Sequence, residues 1–136
     1  MKKKVLVTGG LGFIGSKICE NLLKQNYEVV ILDNFYSNTK KKILNCKVVK
    51  GDITNFDSLK KIKIRNIDSI IHLAAQSSGP KSFLFPEKDI NINILGTINI
   101  IKYCNLKKIK RLVFSSSFTV YGNPLKPIVN ETDNCK

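Results

Sequence analysis

The stretch VLVTGGLGFIG, residues 5–15, decides the fold of this chain. Three apolar residues typical of a buried strand lead into a glycine-rich turn, and apolar residues at helical spacing begin directly after it. Glycines in such a turn allow a tight bend, close approach of the backbone to a diphosphate, and close packing of helix on strand. The N–H groups and positive dipole end of the following helix favour a bound phosphate. The stretch therefore predicts a dinucleotide-binding turn.

An acidic residue further along supports this interpretation. Asp33 ends a second, nearly all-apolar strand, eighteen residues after Gly15. A carboxylate at about this spacing accepts hydrogen bonds from the adenosine ribose of a bound dinucleotide. It would repel a 2′-phosphate, and no Arg stands beside it, so the sequence favours NAD over NADP. A purely structural strand–helix turn is the alternative interpretation.

Strand and helix patterns alternate along the rest of the chain. We predict five strands, at residues 5–7, 28–33, 46–50, 69–73 and 111–114. Helical patterns lie between them; the longest covers residues 89–103, and Thr54 is a candidate cap for a short one. Buried-type strands that alternate with helices are typical of a parallel sheet covered on both faces. The predicted fold class is α/β, a Rossmann-like doubly wound parallel sheet of about five strands in the order 3-2-1-4-5.

Length and composition limit the classes of function. The chain has 136 residues, of which 43% are hydrophobic and 24% charged, and these values fit one globular domain. The net charge is +13, from 23 Lys and Arg against 10 Asp and Glu. A basic balance can indicate nucleic-acid binding, but Arg65 and Arg111 are the only arginines and the lysines are scattered. We therefore expect no nucleic-acid partner, and a positive field that attracts anionic cofactors and substrates.

Targeting and metal-binding patterns are weak. Residues 1–4 (MKKK) resemble the start of a signal peptide, but only three apolar residues follow before Thr8 and the glycines. No apolar run approaches the ~20 residues of a membrane span. We therefore expect a cytoplasmic protein without a membrane partner. The four cysteines form no C-x-x-C pair and His72 is the only histidine, so we predict free thiols and no metal site.

Six short motifs follow one another along the chain. They are TGGLGFIG at 8–15, DN at 33–34, GDI at 51–53, HLAA at 72–75, NILGT at 93–97 and FSSSFTVYG at 114–122. In this order they resemble the N-terminal part of the NAD-dependent nucleotide-sugar epimerase/dehydratase family, within the extended short-chain dehydrogenases/reductases. The resemblance covers nearly the whole chain.

The resemblance implies which residues bind NAD and which one acts on the substrate. The implied cofactor-binding set is Gly9, Gly12, Phe13, Ile14, Gly15, Asp33, Asn34, Asp52, Ile53, Leu73, Ala74, Ala75, Asn93 and Ser115. Within it, Asp52 would bind the adenine amino group, and Asn93 would also steady the active-site strand. Ser117 is the implied catalytic residue, because its hydroxyl would hydrogen-bond the reacting sugar oxygen. His72 is expected to be a positioned structural histidine rather than an acid or base.

One part of the family pattern has no counterpart in this sequence. The family's base is a Tyr in a Y-x-x-x-K motif beyond the VYG segment, whereas this chain ends fourteen residues after Gly122. We therefore expect residues 1–136 to be an incomplete NAD-binding domain that lacks the substrate domain and is inactive alone. Two chance matches, Tyr36 with Lys40 and Tyr103 with Lys107, lie outside the expected site. The exposed fifth strand and the long helix predict a homodimer or other self-association.

The resemblance leaves the reaction open. In the complete enzyme a hydride would pass from a carbon of a nucleotide sugar to the nicotinamide, and an epimerase would return it to the other face of the keto intermediate. Dehydratases commonly carry an Asp-Glu pair where this chain has Phe118 and Thr119, which favours an epimerase. Residues 76–79 (QSSG), however, also resemble some dehydratases. A nucleotide-sugar 4,6-dehydratase or reductase, and a non-catalytic NAD-binding module, remain alternatives.

Overall fold

The computed structural model describes residues 2–37, 43, 45–123 and 128–135, and it contains a five-stranded sheet in which every pairing is parallel. The strands are β1 (Lys4–Thr8), β2 (Glu28–Asp33), β3 (Lys47–Lys50), β4 (Ser69–His72) and β5 (Leu112–Phe114). They lie in the order β3-β2-β1-β4-β5, so β1 occupies the centre. The predicted α/β fold class and strand order are therefore confirmed.

Helical segments connect the strands. They are α1 (Phe13–Lys24), α2 (Phe56–Lys60), α3 (Gly79–Leu84), α4 (Pro86–Asp89) and α5 (Gly96–Lys107). A π-helical segment, Ile90–Leu95, joins α4 to α5, and a 3-10 turn, Phe118–Tyr121, follows β5. The single regular helix predicted over residues 89–103 is therefore wrong in detail, because six of its residues form wider turns. These turns lie where the Asn93 side chain is anchored to the loop after β4.

Apolar side chains cover both faces of the sheet. Against α1, one cluster contains Val5, Val7, Leu11, Cys19, Val29 and Ile31. Against α2 and α5, the other contains Leu6, Val30, Leu32, Ile53, Leu59, Ile64, Ile70, Ile100, Tyr103, Cys104 and Ile109. Alternate residues of β1 and β2 supply opposite clusters because successive side chains of a strand point to opposite faces. Burial on both faces explains why β2 lacks an alternating polar pattern.

The start of α2 differs from the prediction. Asn55, and not Thr54, is the N-cap: its side-chain oxygen accepts a hydrogen bond from the Ser58 N–H at 2.9 Å. The N–H and hydroxyl of Thr54 instead both donate to Asp52 Oδ1 at 2.8 Å. Asn and Thr are both favoured caps, so the choice between two adjacent candidates depends on the competing carboxylate of Asp52.

The strand register builds the edge at which the candidate site lies. Thr8 is paired with Leu32 on one side and with His72 on the other, and His72 is paired with Phe114. These residues form one row at the carboxyl ends of four neighbouring strands. Ligands of open parallel sheets bind beyond this edge.

Candidate functional site

The glycine turn between β1 and α1 allows no side chain at its first position. Gly9 has a φ of +67°, and a Cβ placed there would lie 2.8 Å from the backbone N and Cα of Ala74. The Gly12 N–H donates to the Gly9 carbonyl at 3.0 Å and closes the turn. A Cβ at Gly15 would lie 2.8 Å from the Gly10 Cα. The sequence prediction of a tight turn with closely packed backbone is therefore confirmed.

The amino end of α1 is suited to an anion. Gly12 is the N-cap and provides no side-chain hydrogen bond, and no acidic residue occupies the first turn of the helix. Phe13 and Ile14, which the resemblance assigns to the cofactor site, are exposed there. The positive end of the helix dipole therefore faces the carboxyl edge with no acidic residue in its own first turn, and helix ends of this kind bind phosphate in other proteins.

The carboxylate of Asp33 lies beside the glycine turn. Its Oδ2 accepts from the Leu11 N–H at 3.1 Å, and its Oδ1 accepts from the Phe35 N–H at 2.8 Å. The residue is only 8% exposed. Both bonds come from backbone groups, so they fix the orientation of the carboxylate and leave lone pairs on both oxygens for the hydroxyls of a ribose.

A second carboxylate, Asp52, follows β3 and is joined to the end of β2. The Asn34 side chain donates to Asp52 Oδ2 at 3.1 Å, and Thr54 bonds the other oxygen. Partial burial raises the pKa of Asp52, but the hydrogen bonds from the Thr54 backbone, the Asn34 amide and the Thr54 hydroxyl together lower the pKa below its ordinary value. The carboxylate is therefore ionised at neutral pH and can accept a bond from an amino group.

A chain of hydrogen bonds ties the ends of β1 and β4 to α5 through His72. The Thr97 hydroxyl donates to the Asn93 carbonyl at 2.6 Å, so its oxygen accepts from His72 Nε2 at 3.2 Å. His72 Nδ1 then accepts from the Thr8 hydroxyl at 2.6 Å. The Thr8 oxygen in turn accepts from the Leu73 and Ala74 N–H groups, both at 3.2 Å.

The environment of His72 keeps its ring neutral. The residue is 2% exposed, and burial lowers the pKa of its imidazole to about 4. Both ring nitrogens are used by the two threonines, and Phe114 of β5 packs at a ring–centroid distance of 6.0 Å. These contacts agree with the expected role of a structural histidine and leave no ring nitrogen for proton transfer to a ligand.

Asn93 holds the loop that follows β4. Its side-chain oxygen accepts from the Gln76 N–H at 2.8 Å, and its amide donates to the Gln76 carbonyl at 2.9 Å. Asp89 Oδ1 accepts from both the Gln76 and the Asn93 side-chain amides, at 2.9 and 3.2 Å. Asn93 thus bonds both backbone polar groups of Gln76, which fits the steadying role that the resemblance implies. Direct contact of Asn93 with NAD stays a prediction.

The remaining predicted residues lie along the same edge. The Ser115 N–H donates to the His72 carbonyl at 3.3 Å and so extends the β4–β5 pairing. Ser117 is exposed, and its hydroxyl bonds the Thr119 hydroxyl at 2.8 Å. Ile53 is buried against Gly96. Leu73, Ala74 and Ala75 lie in the segment after β4, and Gly9 approaches the backbone of the first two. Their contacts with NAD or a sugar stay predictions.

The two chance Y-x-x-x-K matches do not form a catalytic pair. Tyr103 is 1% exposed and packs in the core, with Lys107 Nζ 5.6 Å from its ring centroid. Tyr36 is exposed beside the end of β2, and its sequence partner Lys40 lies outside the described residues. Tyr103 is therefore closed off from the carboxyl edge, and the Tyr36–Lys40 spacing cannot be matched to a contact within the described residues.

Several residues of the site were not singled out from the sequence. Thr8, Thr97, Gln76 and Asp89 complete the hydrogen-bond networks around His72 and Asn93. One signal could have found two of them: Asp89, Asn93 and Thr97 recur every four residues, which places them on one face of a helix. Gln76, the partner of Asp89 and Asn93 in the loop after β4, could not be found in this way, because no regular spacing along the chain links it to the helix.

Comparison with known proteins identifies the family. A family model described as the NAD dependent epimerase/dehydratase family matches residues 5–136. The chain belongs to this family. It is 39% identical over 132 residues to a UDP-glucose 4-epimerase from Lactobacillus helveticus, a match that covers 95% of this chain and 40% of that protein. The chain thus spans about two fifths of the length of this relative.

Solved epimerase structures have the same fold. An epimerase from Methanothermobacter thermautotrophicus is 39% identical with a TM-score of 0.83, over 97% of this chain and 40% of that one. A UDP-glucose-4-epimerase from Stenotrophomonas maltophila, solved with NAD and formylated UDP-arabinopyranose, is 33% identical with a TM-score of 0.87. That match covers 98% of this chain and 43% of the other. The Rossmann-like arrangement of this family member is thus shared with proteins whose structures hold NAD.

The described part of this epimerase/dehydratase family chain shows neither a metal centre nor a membrane span. No three His, Cys, Asp or Glu side chains gather there in a group that could hold a metal ion. No helix among the same residues is long and apolar enough to cross a bilayer.

Proposed function

We propose that this chain binds NAD at the carboxyl edge of its sheet, with the diphosphate on the glycine turn and the adenosine ribose on Asp33. The hydrogen bond from the Leu11 N–H to Asp33 Oδ2, at 3.1 Å, carries the proposal. It joins the turn that would hold the phosphates to the carboxylate that would hold the ribose. Two parts of one ligand would therefore meet groups that are already oriented.

Other features of the edge fit this cofactor. A Cβ at Gly9 would clash with the Ala74 backbone, so this position admits only glycine, and a turn of bare backbone suits a diphosphate. The amino end of α1, where Gly12 provides no side-chain cap, suits a diphosphate, and the ionised Asp52 suits the adenine amino group. The Asp33 carboxylate would repel the extra phosphate of NADP, so NAD is the favoured dinucleotide.

We further propose that the chain acts as the NAD-binding part of a nucleotide-sugar epimerase. NAD would supply the acceptor for a hydride from a sugar carbon. The Ser117 hydroxyl, which follows β5 at the same edge, would hydrogen-bond the reacting sugar oxygen. Relatives named UDP-glucose 4-epimerase support this reaction, and Phe118 and Thr119 disfavour the 4,6-dehydratase alternative.

Calorimetric titration with NAD and NADP tests cofactor binding. We expect the wild type to prefer NAD, and Asp33→Asn to weaken NAD binding at least about tenfold, because a charged acceptor of two hydrogen bonds is lost. Asp57→Asn is the matched control, since this exposed carboxylate pairs with Lys60 on α2 and lies outside the site. Absence of NAD binding by correctly folded wild type would refute the proposal.

An assay of UDP-glucose conversion separates the remaining alternatives. Residues 1–136 are expected to bind NAD without turnover, because no Y-x-x-x-K motif follows the VYG segment within them. Turnover by residues 1–136 would contradict the expected inactivity. A non-catalytic NAD-binding module would stay inactive even when the chain is extended by an epimerase C-terminal part that carries the Y-x-x-x-K motif.

A further inference from the structure

Two lysines and a tyrosine meet beside the proposed NAD site. Lys81 Nζ on α3 and Lys88 Nζ on α4 lie 5.6 and 5.0 Å from the ring centroid of Tyr36. Tyr36 follows Asp33 by three residues and is 61% exposed. Three groups that can donate hydrogen bonds, two of them charged, therefore converge from two distant segments of the chain.

The backbone that presents Tyr36 is held in an unusual conformation. Phe35 has a φ of +60°, a value that bulky residues rarely adopt. Two side chains impose it: Asp33 Oδ1 accepts from the Phe35 N–H, and the Asn34 oxygen accepts from the Tyr36 N–H at 3.0 Å. Strain of this kind is retained where surrounding contacts enforce it, and it often marks a functional segment.

The topology places this cluster across the end of the central strand. Tyr36 follows β2, whereas Lys81 and Lys88 follow β4, and these two strands flank β1. A contact between the two segments must therefore pass over the carboxyl end of β1, where the glycine turn lies. A diphosphate that runs from a ribose on Asp33 to this turn would come close to the same cluster.

Within the described part of the chain, no ion pair joins the two ammonium groups of the cluster to an acidic side chain. The described residues contain three ion pairs, and neither Lys81 nor Lys88 belongs to one of them. The hydrogen bond from Lys88 and the charges of Lys81 and Lys88 lower the pKa of Tyr36 below its ordinary value. Phe56 also faces two lysines, but one of these, Lys60, pairs with Asp57 at 2.6 Å. The cluster at Tyr36 thus differs in having two unneutralised ammonium groups around a hydroxyl.

We propose that Tyr36, Lys81 and Lys88 form a second phosphate-binding site, which faces the glycine turn and holds a phosphate of the bound dinucleotide. The inference rests on the proposed binding of NAD. Asp33 disfavours a 2′-phosphate, so the 5′-diphosphate is the expected occupant. The two ammonium groups and the phenol hydroxyl would donate charge-assisted hydrogen bonds to its oxygens.

A pair of double variants tests this site by calorimetric titration with NAD and NADP. Lys81→Met/Lys88→Met removes both charges and keeps apolar stems of similar length. Lys102→Met/Lys107→Met is the control, because these lysines also lie over aromatic rings, at 5.8 and 5.6 Å, but they stand on α5. Each double variant removes the same charge from the whole chain. Tyr36→Phe removes only the hydroxyl, and circular dichroism checks that every variant is folded.

The expected result is a loss of NAD affinity of about tenfold or more in Lys81→Met/Lys88→Met, with a weaker salt dependence, and no comparable loss in the control. Tyr36→Phe should lose about threefold, in line with one neutral hydrogen bond. Loss of NADP binding alone would overturn the proposal, because NAD carries the same 5′-diphosphate and would have to be affected as well. If Lys81→Met/Lys88→Met binds each dinucleotide as tightly as the wild type does, this second phosphate site is refuted. The proposed function would then be unaffected. A folded wild type that binds neither dinucleotide would overturn both.

Discussion

At the scale of single residues, Gly9 is the position at which the site tolerates least change. Its φ of +67° is costly for other residues, and the neighbouring backbone of Ala74 leaves no room for a Cβ. Backbone atoms cannot move aside as the end of a flexible side chain can. The turn therefore depends on glycine for both its conformation and its packing.

We expect Gly9→Ala to destabilise the chain by roughly 2 kcal/mol or more, because left-handed strain and the clash with Ala74 add together. Gly79→Ala is the control, since no atom lies within 4 Å of a Cβ built there. Urea unfolding measures both variants. A Gly9→Ala protein as stable as Gly79→Ala would show that the turn relaxes at little cost.

His72 predicts how stability changes with pH. Its folded pKa of about 4 lies below the ordinary value of 6.5, so only the unfolded chain takes up a proton between these values. The contribution of His72 to the free energy of unfolding is therefore fully present above pH 6.5. It falls as the pH drops toward 4, by about 1.4 kcal/mol for each pH unit.

Urea unfolding between pH 5 and 7 measures this slope in a range where Asp52, with its lowered pKa, remains ionised. A His72→Asn variant should be less stable at pH 7 and should lose the slope that the wild type shows. An unchanged slope in the variant would assign the pH dependence to other groups.

The sequence predicts the role of a residue only where that residue belongs to a motif of fixed spacing along the chain. The closeness of the glycine turn and Asp33 could be predicted because their spacing along the chain is typical of a dinucleotide site. The bonds of His72 to Thr8 and Thr97 could not, since Thr8 lies 64 residues and Thr97 25 residues from His72. Only the strand register and the position of α5 bring them together.

At the scale of elements, the π-helical segment Ile90–Leu95 carries the anchor of the loop after β4. Asn93 lies within it and bonds both the N–H and the carbonyl of Gln76. The sequence predicted a helix here from its apolar spacing, which does not distinguish α from π turns. It gave no indication of α3, whose exposed side chains lack a regular pattern.

We expect Asn93→Ala to cost roughly 1–2 kcal/mol, because two partly buried backbone groups of Gln76 lose their partners. Asn91→Ala is the control, since Asn91 lies on the same segment with an exposed side chain. Hydrogen exchange gives a second, local reading: the Gln76 amide should exchange faster in Asn93→Ala only. Equal protection of this amide in both variants would contradict the anchoring role.

At the scale of the whole molecule, the border of the sheet formed by β5 exposes apolar side chains. β5 forms one border with three residues, of which Val113 and Phe114 are more than half exposed. Apolar side chains of α5 and the segment before it, including Ile94, Ile98 and Ile101, are exposed as well. Unpaired strand edges and contiguous apolar surface favour association of protein chains.

We therefore expect the isolated chain to self-associate through the β5 edge and the helix that precedes it. Light scattering at increasing protein concentration measures this, and Val113→Lys should shift the chain toward monomer by placing a charge on the edge. Val48→Lys, on the opposite border strand, should have little effect. A wild type that stays monomeric at all concentrations would refute the expectation.

The parallel arrangement of all five strands has a practical consequence. β1 begins at Lys4, so the first residues of the chain lie at the amino border of the sheet, where Lys2 and Lys3 line a shallow groove with residues 25–27. Immobilisation on a sensor chip through an N-terminal tag would therefore leave the opposite border accessible to dinucleotides in the flow buffer, which suits surface-based kinetics.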